Sequence, residues 1–243
     1  MVSMVGSVLA QPNTRASISG RVLETGTGEP IVGAHVFIAN SMIGSVTDLD
    51  GNYDLVNVPT GAHRLYVSML GFESDFLDIM LRTSRAYTFD FELTGSILEA
   101  GEIVVEAERD KNWKKRLRKF IRLFIGETTN ALETSIINPE VLDFEDKRGT
   151  FTAVAAAPLI IENRALGYRI QYFLEDFKST PSRVQYDGEG LYEEMDASSP
   201  EQAKRWEEKR RASFMGSFRH FMLAVIAGRA EAQGFKTYSR PSV

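Results

Sequence analysis

Residues 44–61, GSVTDLDGNYDLVNVPTG, constrain this chain more than any other stretch. They read as a compact β-meander: a short strand into Thr47, an Asp-rich turn closed by Gly51, a strand through Tyr53 and Leu55, and a Pro59-Thr60-Gly61 turn. Gly51 and Gly61 sit where the backbone needs positive φ, while Pro59 presets its own φ and has no N–H for a ladder. A hairpin fixed at both ends imposes its register on its neighbours. Two β-faces to cover then predict a small antiparallel sandwich.

Further strands flank this stretch. Residues 16–24 alternate Ile18, Gly20 and Val22 with polar partners. Residues 34–39 place Ala34, Val36 and Ile38 on one face and His35, Phe37 and Ala39 on the other. Leu65, Val67 and Met69 point inward from residues 63–69, residues 87–93 alternate without a break, and Ile103-Val104-Val105 closes the set. Short strands separated by Gly, Pro and Asp turns argue for a sandwich rather than a parallel sheet.

Charge marks where this unit stops. From Arg15 to Glu108 there are 5 Lys/Arg against 14 Asp/Glu, a net of −9; from Arg109 onward 23 against 19 give +4. The 243 residues, 43% apolar and 25% charged, suffice for two small domains with packed cores. The expected division is residues 16–108 as the sandwich and 109–243 as a separate α+β domain. Cysteine is absent, which excludes disulfides, zinc–cysteine sites, thiol catalysis and a lipidated cysteine anchor. No run of eighteen apolar residues follows the N-terminus, so no membrane-spanning helix is expected. Residues 1–15 contain Val8-Leu9-Ala10 before Gln11 and lack a charged start, which fits either the remnant of a signal peptide or a short tail.

The succession Ile18-Ser19-Gly20-Arg21-Val22, Thr27-Gly28-Glu29-Pro30-Ile31-Val32-Gly33-Ala34-His35-Val36, Thr47-Asp48, Asp50-Gly51-Asn52-Tyr53, Val58-Pro59-Thr60-Gly61 and Ser68-Met69-Leu70-Gly71-Phe72 resembles the carboxypeptidase-like regulatory domain. The resemblance implies a seven-stranded transthyretin-like (prealbumin-like) sandwich and a non-catalytic accessory role. It also implies an exported protein of Bacteroidota type, in the periplasm or at the outer membrane. The same domain stands at the N-terminus of many TonB-dependent receptors, so a receptor fragment is a second reading. Segments such as Ile137-Asn138-Pro139-Glu140-Val141-Leu142 and Arg205-Trp206 with Arg210 are similar to the region downstream of the domain in a group of Bacteroidota proteins. Those chains continue past the point matching Gly234-Phe235, which leads us to expect a C-terminal domain truncated here.

In the second half, residues 111–125 place Trp113, Leu117, Phe120, Ile121 and Phe124 at helical spacing among Lys114, Lys115, Arg118, Lys119 and Arg122, and the helix stops at Gly126. Trp113, Lys115, Arg118, Lys119, Phe120 and Phe124 therefore form a candidate face for a membrane surface or a partner. The alternative, favoured by other apolar segments downstream, is packing on the C-terminal domain. Strands are expected near residues 151–156 and 167–173, then a helical region at 201–227 broken around Gly216-Ser217.

Candidate chemistry is sparse. A zinc peptidase needs two His and a Glu converging on the metal, yet His35, His63 and His220 are each followed three residues later by an apolar or aromatic residue, so no metal site is expected. Asp48, Asp50 and Asn52 open like a calcium loop, but Pro59 stands where the bidentate Glu belongs, and a hairpin turn explains the same letters. No nucleophile elbow or phosphate-binding loop is present. Trp206, Arg210, Arg219 and His220 form a candidate cluster for a carboxylate or sugar ligand, with ion pairing to Glu162 or Glu207 as the structural alternative. No catalytic residue and no cofactor is expected. The partner expected is a protein or glycan of the envelope, with peripheral membrane contact as a further option, and not nucleic acid. An enzyme with its site in the C-terminal domain is the remaining rival.

Overall fold

The computed structural model describes residues 14–96 and 111–238. Most of the expected leader, the strand at residues 103–105 and the boundary near Arg109 lie outside the described residues.

Residues 14–96 form β1 (Arg15–Glu24), β2 (His35–Ile38), β3 (Gly44–Val46), β4 (Asn52–Pro59), β5 (Gly61–Ser68), β6 (Asp75–Leu81), β7 (Ala86–Thr88) and β8 (Phe91–Leu93). One sheet runs β4-β1-β7 with β8 continuing along β1, and the other runs β3-β2-β5-β6. β7 and β8 are two parts of one strand interrupted at Phe89-Asp90, so the described residues of the sandwich make seven strands, among them β6, which the sequence pattern does not locate. At the interruption, a Cβ on Gly20 would lie 1.7 Å from the Phe89 oxygen, and only glycine leaves room for it. Tyr53 Oη donates to that oxygen at 2.6 Å. The pairing is antiparallel except that β7 and β8 run parallel to β1. The chain reaches them by crossing from the opposite sheet, so no hairpin dictates their direction.

The meander expected at residues 44–61 is corrected by the pairing. β3 pairs with β2, β4 with β1, and β5 with β2 and β6. Both turns thus carry the chain from one sheet to the other. The turn chemistry itself is as the residues imply: Asp48 Oδ1 accepts from the Asp50 and Asn52 amides at 2.9 and 2.8 Å, and Gly51 and Gly61 have φ of +75° and +139°. A turn fixes where the chain bends, not which strand it joins. The joining is done by buried Thr47, whose hydroxyl accepts from the Ala34 amide at 2.8 Å and donates to the Ile31 carbonyl at 2.6 Å. Ile18, Val22, Val36, Leu55, Leu65 and Val67 fill the space between the sheets, each contributing about 1.5–3 kcal/mol by leaving water.

The second domain contains α1 (Lys111–Phe124), β9 (Thr134–Ile136), β10 (Leu142–Lys147), β11 (Thr150–Ala155), β12 (Leu159–Asn163), β13 (Tyr168–Thr180), β14 (Arg183–Glu194), α2 (Pro200–Phe214) and α3 (Phe218–Ile226). Its strands make a six-stranded antiparallel sheet in which long β13 has β14 on one edge and both β11 and β12 on the other. The sequence pattern locates β11 and the first part of β13 but none of β9, β10, β12 or β14. The apolar stripe of α1 covers one face: Phe120 is fully buried, its ring 4.7 Å from Phe177 and 5.7 Å from Phe144. The helical region breaks at Gly216 (φ +80°), and Ser217 Oγ caps α3 by accepting from the His220 amide at 3.1 Å.

Alternation along β13 turns Tyr172 and Leu174 to the α1 side and Phe173 to the other, where the sandwich docks. Phe173 stacks on Phe37 at 4.9 Å and lies 5.8 Å from Tyr66. The backbone joins too: the Asn40 amide donates to the Gly190 carbonyl at 2.8 Å, and the Tyr192 amide to the Ser41 carbonyl at 2.9 Å. The outward faces of β2 and β5, which in an isolated sandwich would meet water, are instead an interdomain core.

Candidate functional site in the interdomain cleft

Beside that core a cleft of about 620 Å3 opens between the domains. From the sandwich it takes His35 of β2, Tyr66 and Ser68 of β5, the loop through Phe72, Glu73 and Ser74, and the start of β6 at Asp75 and Phe76. The second domain contributes Ala155–Pro158 at the end of β11 and Phe173, Leu174 and Glu175 of β13. None of its lining residues is Lys or Arg.

Glu175 reaches the cleft through a local irregularity. The β13–β14 register shifts between Leu174 and Asp176, so Glu175 is the extra residue of a β-bulge, opposite Gly188 at φ +148°. A bulge re-aims the side chain it carries, and Glu175 Oε1 accepts the Tyr66 hydroxyl at 2.8 Å. Burial, more than the neighbouring carboxylate, pushes the Tyr66 phenol well above its ordinary value, so it remains a donor. Burial likewise pushes the His35 imidazole below its usual range, and its ring sits 5.9 Å from Phe173. Ser74 Oγ donates to Ser68 Oγ at 3.0 Å. Phe76 presents nearly half its surface to solvent, with the Arg64 guanidinium 4.1 Å from the ring centroid. The cleft therefore offers carboxylate and hydroxyl acceptors beside aromatic surface, the mixture of concave binding sites at domain junctions.

The residues singled out from sequence lie elsewhere. Trp206 is buried and donates through Nε1 to the Arg164 carbonyl at 2.8 Å, while Arg210 donates to the Leu166 and Gly167 carbonyls at 2.7 and 3.0 Å. Arg210 also pairs with Glu194 at 2.9 Å and lies 4.1 Å from the Tyr168 ring centroid. These two side chains clip α2 onto the β12–β13 turn, with no donor turned to a ligand. The Arg210 partner is Glu194 and not the expected Glu162 or Glu207, because Glu162 is held by Arg164 and Arg169 at 3.0 and 2.8 Å. His220 is buried between Phe214 and Phe235, its Nδ1 accepting from the Gly216 amide at 3.0 Å, so Nε2 carries the proton and donates to Gln233 Oε1 at 2.7 Å. Arg219 is exposed on α3. The four do not converge on one ligand.

The α1 face divides in the same way. Phe120 is inside, Trp113 Nε1 donates to the Leu142 carbonyl at 3.1 Å, and Phe124 packs on Tyr172 at 5.1 Å. Those three side chains are not available to a bilayer. Lys115 and Arg118 remain outside, and Lys119 reaches Asp146 at 3.4 Å. Among the described residues no three His, Asp or Glu side chains form a group that could hold a metal ion. No described helix is long and apolar enough to cross a membrane.

Among the described residues a three-stranded and a four-stranded sheet, joined by the crossover at residues 47–51, are the frame that carries the turn segments quoted from the sequence. Residues 18–105 match the CarboxypepD_reg-like domain. The chain is also 30% identical over 115 residues to the TonB-dependent receptor SusC of Bacteroides thetaiotaomicron, a match covering 47% of this chain and 11% of that protein. The chain thus spans about a tenth of the length of that curated relative. Among solved structures, a putative carbohydrate binding protein from Bacteroides uniformis is 13% identical with a TM-score of 0.28, covering 74% of this chain and 79% of its own. A 5-hydroxyisourate hydrolase from Klebsiella pneumoniae is 16% identical with a TM-score of 0.26, covering 33% of this chain and 91% of its own. Scores this low leave the fold argument to the strand pairing above.

Within the CarboxypepD_reg-like domain, sequence reasoning places His35, Phe37 and Tyr66 on strands without assigning them to a site. The available signal is the apolar and aromatic character of both faces of residues 35–38 and 65–67, which an isolated sandwich does not require. Glu175 carries no signal, because nothing in its neighbours announces a bulge.

Proposed function

We propose that this is a non-catalytic binding protein of the bacterial envelope, in which the CarboxypepD_reg-like domain and the α+β domain together hold a segment of neutral glycan in the cleft between them. The observation that carries this reading is the lining of the cleft: Glu73, Asp75, Ser68 and Ser74 as hydrogen-bond acceptors and donors beside the partly exposed rings of Phe72 and Phe76, with no Lys or Arg among the lining residues. Sugar hydroxyls suit the first set and the C–H face of a sugar ring the second. A binding role is further supported by the pairing of Tyr66 with Glu175, which ties the one phenol and the bulged carboxylate to each other. The envelope setting is supported by the similarity to a TonB-dependent receptor over 115 residues.

Calorimetric titration of the full chain with a panel of neutral oligosaccharides and short peptides tests this. One oligosaccharide is expected to bind, and Glu73→Ala and Phe76→Ala, both at exposed positions, each weaken it at least about tenfold with the melting temperature retained. Binding of peptides alone, or glycan binding untouched by both substitutions, sinks the glycan reading.

The SusC similarity favours a second reading, in which these residues are the front of a longer receptor. A coding sequence running past Val243 into alternating barrel strands is what it requires.

A further inference from the structure

α1 carries seven Lys or Arg among its fourteen residues and no acid, in a chain of net charge −5. Its apolar stripe is consumed by packing on the sheet, which leaves the cations as its outer surface. Lys115, Arg118, Lys119 and Arg122 stand at i, i+3, i+4 and i+7, so they share a stripe about 10 Å long. Like charges so placed repel and weaken the helix, and Lys114 in its first turn adds to the unfavourable end of the dipole. Among the described residues, nearby acids do little to relieve this. A groove of about 480 Å3 runs along the stripe with Asp146 as its one carboxylate, and Lys119 already holds that at 3.4 Å. Among the described residues Lys115, Arg116, Arg118 and Arg122 make no ion pair.

We propose that this groove is a binding site for an anionic polysaccharide, one bearing carboxylate or sulfate groups at the spacing of successive sugars. Three of its cations are Arg, whose planar fork matches such oxyanions in a bidentate manner. A bilayer is the poorer occupant, because Trp113, Phe120 and Phe124 are engaged inside and the surface is concave. Single-stranded nucleic acid is poorer as well: the lining holds no aromatic ring on which a base would stack. The site shares no lining residue with the cleft and stands whether or not the cleft binds a glycan.

The test titrates the full chain with heparin and with polygalacturonate over a series of salt concentrations, with phosphatidylglycerol vesicles and a single-stranded oligonucleotide as competing arms. Binding to at least one polysaccharide is expected, weakening steeply as salt rises. Lys115→Gln/Arg118→Gln/Arg122→Gln should lose at least about tenfold in affinity and flatten the salt dependence by about two to three charges. A variant matched in charge but outside the groove's lining, Arg183→Gln/Lys204→Gln/Arg211→Gln, should change by less than about twofold. Equal losses in the two variants, tighter binding to vesicles or oligonucleotide, or no binding to either polysaccharide would overturn the proposal.

Discussion

Arg64 Nη1 lies 3.1 Å from Glu189 Oε1, and that ion pair joins the sandwich to the second domain. The other carboxylate oxygen of Glu189 accepts from Asn40 Nδ2 at 2.7 Å, so one largely buried acid is satisfied entirely from across the junction. Glu189→Ala therefore strands two donors. Because Arg64 also pairs with Asp78 at 2.9 Å and is partly exposed, the loss should be about 1–2 kcal/mol, below that of a fully buried pair. Urea unfolding followed by tryptophan emission and by far-ultraviolet dichroism measures it. The wild type should give coincident curves; separate transitions in the wild type would contradict coupling through this junction.

Phe173→Ala tests the apolar part of the same junction. Phe173 is buried against Phe37 and Tyr66, and removing it leaves a cavity between domains that cannot close by local collapse. A loss of about 3–5 kcal/mol is expected. Here the two probes should separate, since both tryptophans, Trp113 and Trp206, belong to the second domain.

The described strands of the sandwich other than β6 were legible because their determinants are local. Gly51, Pro59 and Gly61 announce bends, and the alternation at residues 34–39 announces which side chains enter the sandwich. The partners of those strands were not legible: the same turn chemistry serves a hairpin and a crossover between sheets, and only the burial of Thr47 distinguishes them. In the second domain, β14 escaped because Gly188 and Gly190 interrupt its pattern, although Gly188 is what admits the Phe173 carbonyl. The interdomain cleft was invisible for a related reason. It depends on the bulge at Glu175 and on two surfaces whose meeting no short stretch encodes, while Trp206, Arg210 and His220, which look like ligand groups in sequence, satisfy backbone and side-chain partners at the α2 and α3 ends.

Thr47→Val measures how much the crossover depends on one hydroxyl. Valine has the same shape, yet the Ala34 amide and the Ile31 carbonyl would both lose a buried partner. A destabilisation of about 2–4 kcal/mol is expected, against about 1 kcal/mol or less for Thr47→Ser, which keeps both hydrogen bonds. Equal losses would assign the role to packing instead.

Acid stability should depend on Glu162. Its carboxyl is held below the ordinary carboxylate range by Arg169 first and Arg164 second, and Asp48 is held low by the Asn52 amide. A folded-state pKa below the unfolded one means that the unfolded chain takes up protons first as pH falls. The stabilisation is then complete above about pH 5 and is lost on acidification through the unfolded value of about 4 towards the lower folded one. Melting temperatures from pH 7 to 3 should fall less steeply in Glu162→Gln, which begins lower at pH 7 and meets the wild-type curve at the acid end. Parallel curves would show that other carboxylates set the acid limb.

Gly167→Ala should detach α2 from the sheet. Gly167 has a φ of +70°, and a Cβ there would sit 2.3 Å from the Trp206 indole, which is rigid and packed. Neither the backbone nor the ring can yield without breaking the hydrogen bond from Trp206 Nε1 to Arg164 or those from Arg210 to Leu166 and Gly167. The conformational part alone costs about 1 kcal/mol, and displacing the indole adds the larger share, for a total of about 3 kcal/mol or more. In a Trp113→Phe background, where Trp206 is the one indole left, its emission should shift to longer wavelength as the ring enters water. An unshifted spectrum with full stability would mean that α2 is held by contacts other than the Trp206–Gly167 approach.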